Sequence, residues 1–132
     1  LKELIESHAQ QLNDLCKEDL FDVEYKENGK FEAELKFAGD ILVFNMHSNI
    51  FNFPDDFFIH RSPYVLQDER RKYCGMIEVY NFLADSFKYS RYGDSGYMVA
   101  RIFINMEGHF FIEGEDFIYQ STHLVGLLLL HV

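Results

Sequence analysis

An apolar run, a polar break and a second apolar run occur twice in this chain, 60 residues apart and without a gap. Residues 41–58 align with residues 101–118: Asn45-Met46 falls on Asn105-Met106, Phe51 on Phe111, and Asp56-Phe57 on Asp116-Phe117. Runs of this kind flanking a short break are how a β-hairpin looks in sequence. Each copy is therefore expected to form a hairpin, as two solutions to one packing problem rather than as an ancestral duplication; no full-length repeat of the solenoid type is visible.

The neighbouring segments extend this into a sheet. Phe21, Val23 and Tyr25 alternate with Asp22, Glu24 and Lys26; Phe31, Ala33, Leu35 and Phe37 alternate with Glu32, Glu34 and Lys36. Alternation puts one face of each strand in the core and one in water. Asn28-Gly29 between them suits a tight turn with positive φ, and Gly39-Asp40 turns the chain into a central strand over 41–53. A short strand is expected over 57–60 and a long one over 76–90. Tyr92 to Gly96 reads as a turn. Leu1, Leu4, Ile5, His8, Leu12, Leu15 and Cys16 share one stripe at helical spacing, which predicts an amphipathic helix over 1–19. Ser62-Pro63 reads as the cap and first position of a short helix ending near Lys72, and Ser121 or Thr122 as the start of a C-terminal helix.

The fold expected is thus α+β: one domain over residues 1–132, a mainly antiparallel curved sheet of six to seven strands packed by the N-terminal and C-terminal helices. A chain of 132 residues suits one domain. Its start at Leu1 and its apolar end suggest a domain of a longer protein.

The net charge is −10 and unevenly placed. Residues 1–40 carry 11 acids against 5 bases, residues 105–132 carry 4 acids and no base, and the middle balances at 7 and 7. Such a chain repels nucleic-acid phosphates and anionic membrane surfaces, so neither partner is expected. The longest apolar run, Leu124 to Leu130, is too short to span a bilayer. Cys16 and Cys74 form no paired motif, and no signal peptide is visible; reduced thiols in the cytoplasm are the expectation.

Chemistry-bearing motifs are sparse. Gly93-Asp94-Ser95-Gly96 resembles the nucleophile motif of chymotrypsin-like proteases, but Tyr97 stands where that family has a further glycine, and the chain is too short for its two barrels. The segment is read as a glycine-bounded turn. The histidines, at 8, 47, 60, 109, 123 and 131, show no zinc-protease spacing, and no metal or cofactor is expected. Asp55 or Asp56 beside His60 could serve as an acid–base pair. Asn45, Asn81, Asn105 and Tyr80, on apolar runs, are read as closing backbone hydrogen bonds rather than lining a pocket.

The segment 60–73 is the candidate site. His60, Arg61, Arg70, Arg71 and Lys72 gather four of the twelve Lys and Arg residues, bracketed by Tyr64 and Tyr73, in an otherwise acidic molecule. Arginine forks beside aromatic rings suit a carboxylate or phosphate, although Asp68 and Glu69 could neutralise the group. The function expected is a non-catalytic module that binds an anionic small molecule or a protein partner, as a homodimer. The alternatives are a small enzyme using His60 with Asp55 or Asp56, and Arg71 to hold an anionic substrate, or a structural domain of a larger assembly.

Overall fold

The computed structural model describes residues 1–15, 22–91 and 93–114 and the backbone of 118–121. Seven antiparallel strands form one open sheet in sequence order: β1 (Val23–Glu27), β2 (Glu32–Phe37), β3 (Asp40–Met46), β4 (Cys74–Leu83), β5 (Tyr97–Asn105), β6 (Phe110–Gly114) and β7 (Ile118–Ser121). Every strand is hydrogen-bonded to its sequence neighbour, so each connection is a hairpin or a local excursion. The α+β architecture expected from the alternation is what the chain adopts.

The first helix, α1 (Lys2–Leu15), buries Ile5 and Ala9 and lies against β1 and β2. Asn13, on the polar side of the expected stripe, pins it: its amide donates to the Val23 carbonyl and accepts from the Val23 N–H, both at 2.8 Å. The expected continuation to residue 19, Phe21, and the helix expected after Ser121 lie outside the described residues.

Alternation sends neighbouring side chains to opposite faces. Ile77, Val79, Ile102 and Phe110 sit on one face with Leu1, Leu42 and Phe44 packed against them. Cys74, Met76, Phe103 and Phe111 sit on the other and are covered by Phe51, Phe53, Phe57 and Ile59. The Phe53, Phe103 and Phe111 ring centroids are 4.8–5.1 Å apart in tilted, edge-on and stacked arrangements, the spacing aromatic pairs favour. That second cover comes from the residues between β3 and β4, which places the site.

Residues 41–58 do not form the hairpin expected of the first repeat, whereas β5 and β6 do form the second. After β3 the chain stays on β4: His47 N–H donates to Met76 O at 3.0 Å. Residues 48–50 then loop out, with Ile50 exposed, and Phe51 exchanges two hydrogen bonds with Cys74. The edge of β4 was free to pair there, so the second apolar run rejoined β4 instead of folding back on β3. Residues 57–60 are not a strand: Phe58–Arg61 is a 3₁₀ turn. Ser62 caps α2 (Pro63–Gln67) by accepting from Val65 N–H at 3.3 Å, with Pro63 at the first helical position. Asp68 stops α2 and caps a second 3₁₀ turn, Glu69–Lys72. The long strand expected over 76–90 ends at Leu83, and Ala84–Lys88 form α3. Gly96 is then pressed against the Phe82 ring, 2.5 Å from where its Cβ would lie. The turn at Asn28-Gly29 spans four residues, with positive φ at Gly29 alone (76°), because the Asn28 side chain donates to Glu32 and Glu34 instead of entering the left-handed region.

Ala38, in the β2–β3 turn, has φ 49°, where a Cβ is unfavourable and glycine is not. Ala38→Gly is expected to stabilise the protein by about 0.5–1 kcal/mol, read as a higher urea midpoint at unchanged slope; a lower midpoint would contradict the strain.

Candidate functional site

The 58–74 segment lies over the β5–β6 hairpin and leaves a cleft of about 540 Å³. Its apolar walls are Phe58, Ile59, Phe103, Phe110 and Phe111, and its polar positions are Ser62, Tyr64, Arg71, Cys74, Asn105 and His109. The volume lies within the range of small-molecule sites, which combine apolar walls with a few placed polar groups.

Asn105 holds the two sides together. It ends β5 and is 9% exposed. Its amide nitrogen donates to the Tyr64 hydroxyl at 2.9 Å and to the Arg71 carbonyl at 3.2 Å, both on the covering segment. Its oxygen accepts from the Glu107 and His109 N–H groups, both at 3.0 Å, and so shapes the turn in which Gly108 takes φ 79°. The turn in turn places Glu107 to accept from the Tyr64 hydroxyl at 2.5 Å and from Arg71 Nε at 3.1 Å. His109 stacks on the Tyr64 ring with centroids 4.1 Å apart and planes 3° from parallel, and the Arg71 guanidinium carbon lies 4.3 Å from the same centroid. Arg71 also donates from Nη1 to the Tyr64 carbonyl at 2.9 Å.

Of the candidate residues in the 60–73 segment, Tyr64 and Arg71 meet at this cleft, and His60, Arg61, Arg70, Lys72 and Tyr73 do not line it. His60 donates from Nε2 to the Phe53 carbonyl at 3.1 Å rather than to Asp55 or Asp56. Arg61 donates to the Asp56 carbonyl at 3.2 Å. Arg70 is taken by Asp68, whose oxygens lie 2.7–3.2 Å from its nitrogens and whose carboxyl that contact holds down at about 2. Lys72 lies over the Tyr73 ring, 5.4 Å from its centroid, and Tyr73 is largely exposed. Sequence reasoning missed the cleft's role for His109, Cys74 and the Phe103–Phe111 pair. It read Asn105 as a closer of backbone hydrogen bonds rather than as pocket lining, and the residue is both.

Burial raises the Cys74 thiol to about 11, so it is protonated at neutral pH and is no nucleophile. Burial and the Glu107 hydrogen bond also push the Tyr64 hydroxyl up. The hydrogen bond from Tyr64, aided by Arg71, holds the Glu107 carboxyl below its ordinary value.

A second polar group sits at the margin of the aromatic cover. Glu78 accepts from His47 Nε2 and from the Tyr80 hydroxyl, both at 3.1 Å, and Arg101 Nε is 3.7 Å away. Burial would raise this carboxyl, but the hydrogen bonds from His47 and Tyr80 outweigh it and leave it lowered. No group of His, Cys, Asp or Glu among the described residues is arranged to hold a metal ion, and no helix there is long and apolar enough to cross a membrane. No family of known proteins, no curated protein and no solved structure matches the chain.

Glu78 and Glu107 both have folded values below the unfolded one, so the unfolded chain binds their protons more readily. The stability they contribute is complete above the ordinary Glu value of about 4.3 and is lost as pH falls through the lower folded values. The urea midpoint is expected to decline from pH 6 to pH 3, and less steeply in the Glu78→Gln/Glu107→Gln double variant. An equal slope in both proteins would assign the acid sensitivity to other carboxylates, with Asp68 and Asp94, also lowered, the first to replace.

Proposed function

We propose that this protein is a non-catalytic binding module whose ligand is a small molecule seated between the 58–74 segment and the β5–β6 hairpin. The carrying observation is the cleft itself: about 540 Å³, walled by phenylalanines, with polar groups converging at one side and already held by partners. Preorganised polar groups lower the ordering cost of binding. A binding role fits better than a catalytic one because the thiol in the wall is protonated and His60, the acid–base candidate, is hydrogen-bonded to a backbone carbonyl.

Titration of labelled protein with 4-phenylbutanoate, 4-phenylbutanamide and indole is expected to shift the NMR signals of Phe58, Phe111 and His109 for at least one compound. Three flat titrations at millimolar ligand would sink this reading.

A homodimer is the second reading, favoured by a different region. Leu83, Phe87, Tyr89, Tyr97 and Met98 are exposed at the end of the sheet where β4 stops and β5 begins. Clustered apolar exposure marks interaction surfaces. Sedimentation equilibrium is expected to give twice the 15.6 kDa chain mass, and Leu83→Glu/Tyr97→Glu to return it to the monomer. A wild-type monomer across the concentration range removes the dimer.

A further inference from the structure

Resting on the cleft as the binding site, we infer that its ligand is a monoanion with an aromatic or aliphatic body, bound through a carboxylate. The chain holds 22 Asp and Glu residues, yet none among the described residues lines the cleft. Its polar side instead carries hydrogen-bond donors. Arg71 uses Nε for Glu107 and Nη1 for the Tyr64 carbonyl, and Nη2 has no acceptor among the described residues. Ser62 accepts from Val65 N–H and keeps its hydroxyl proton to donate. The His109 ring nitrogens have no hydrogen-bond partner among the described residues, since the ring is held by stacking on Tyr64.

The amide and phenol acceptors in the same wall are in use. The Asn105 oxygen accepts two backbone N–H groups, and the Tyr64 hydroxyl accepts from Asn105 while donating to Glu107. An incoming head group therefore meets donors and needs acceptors. A carboxylate can accept from the free Nη2 of Arg71 with one oxygen and from Ser62 or His109 with the other, in charge-assisted bonds stronger than those of a neutral amide. Glu107 does not forbid this, because it is an exposed side chain outside the lining, already engaged by Tyr64 and Arg71 Nε. Phe58, Phe103 and Phe111 supply the surface for the ligand's body.

The discriminating experiment compares three compounds that share one body, 4-phenylbutanoate, 4-phenylbutanamide and 4-phenylbutylammonium, by NMR titration of the same protein at low salt. The carboxylate is expected to bind at least tenfold tighter than the amide, and the ammonium compound to bind weakest. His109→Phe keeps the stack on Tyr64 and removes the ring N–H, and Arg71→Lys keeps the charge and removes the Nη2 donor; each is expected to weaken the carboxylate while leaving the amide unchanged. Equal affinities for carboxylate and amide, or a preference for ammonium, would overturn the anionic ligand and leave the cleft as a binding site. Binding of none of the three, nor of indole, would overturn both.

Discussion

The carboxamide of Asn105 donates to the Tyr64 hydroxyl and the Arg71 carbonyl while its oxygen accepts two N–H groups of its own turn. Two of these four hydrogen bonds tie the covering segment to the β5–β6 hairpin, and the other two shape the hairpin's turn. The stacking of His109 on Tyr64 and the pairing of Arg71 with Glu107 depend on it, because both need the turn and the segment in register. A surface pair such as Arg71–Glu107 stabilises by only about 0–1 kcal/mol on its own. Leaving a buried hydrogen-bonding group unpaired costs about 1–3 kcal/mol. The amide therefore outweighs the ion pair in setting the geometry, and the ion pair follows it.

The sheet was legible where side chains alternate with period two, in β1 and β2, where the second repeat's apolar runs form β5 and β6, and where Ser62-Pro63 announced a capped turn. It failed where a segment could choose its partner. Phe51 and Phe57 have the same neighbours in sequence as residues of a hairpin, but β4 offered a free edge before Cys74, and the aromatic rings gained more by covering Met76, Phe103 and Phe111. Such a competition is settled between elements far apart in the chain, so local periodicity does not record it. The cleft was half legible for the same reason. Tyr64 and Arg71 stood out as an aromatic and a cation in a basic stretch, whereas Asn105, noticed only as a polar residue on an apolar run, and His109, which complete the site, lie far along the chain and are not joined to that stretch without the sheet between them.

Charge density along the chain was a poor guide to which cation faces a ligand. Arg70 and Arg71 are neighbours with the same side chain, yet a two-residue reach gives Arg70 to Asp68, while Arg71 crosses 36 residues to Glu107. The 3₁₀ turn over Glu69–Lys72 points successive side chains about a third of a revolution apart. One arginine is thereby sent to solvent beside the capping carboxylate and the next to the hairpin.

The loop at residues 48–50 has a consequence beyond the broken hairpin. By returning the chain to β4 at Phe51, it sets Phe53, Phe57 and Ile59 over one half of a sheet face and stops there. Glu78, His47, Tyr80 and Arg101 lie at that margin, where a row of hydrogen-bonded polar groups replaces aromatic cover. A half-buried carboxylate is tolerable in this place because its hydrogen-bond partners offset the desolvation. The polar row limits the cover to the Cys74 end of β4, and the cleft opens there, between aromatic walls and the donors of the β5–β6 turn.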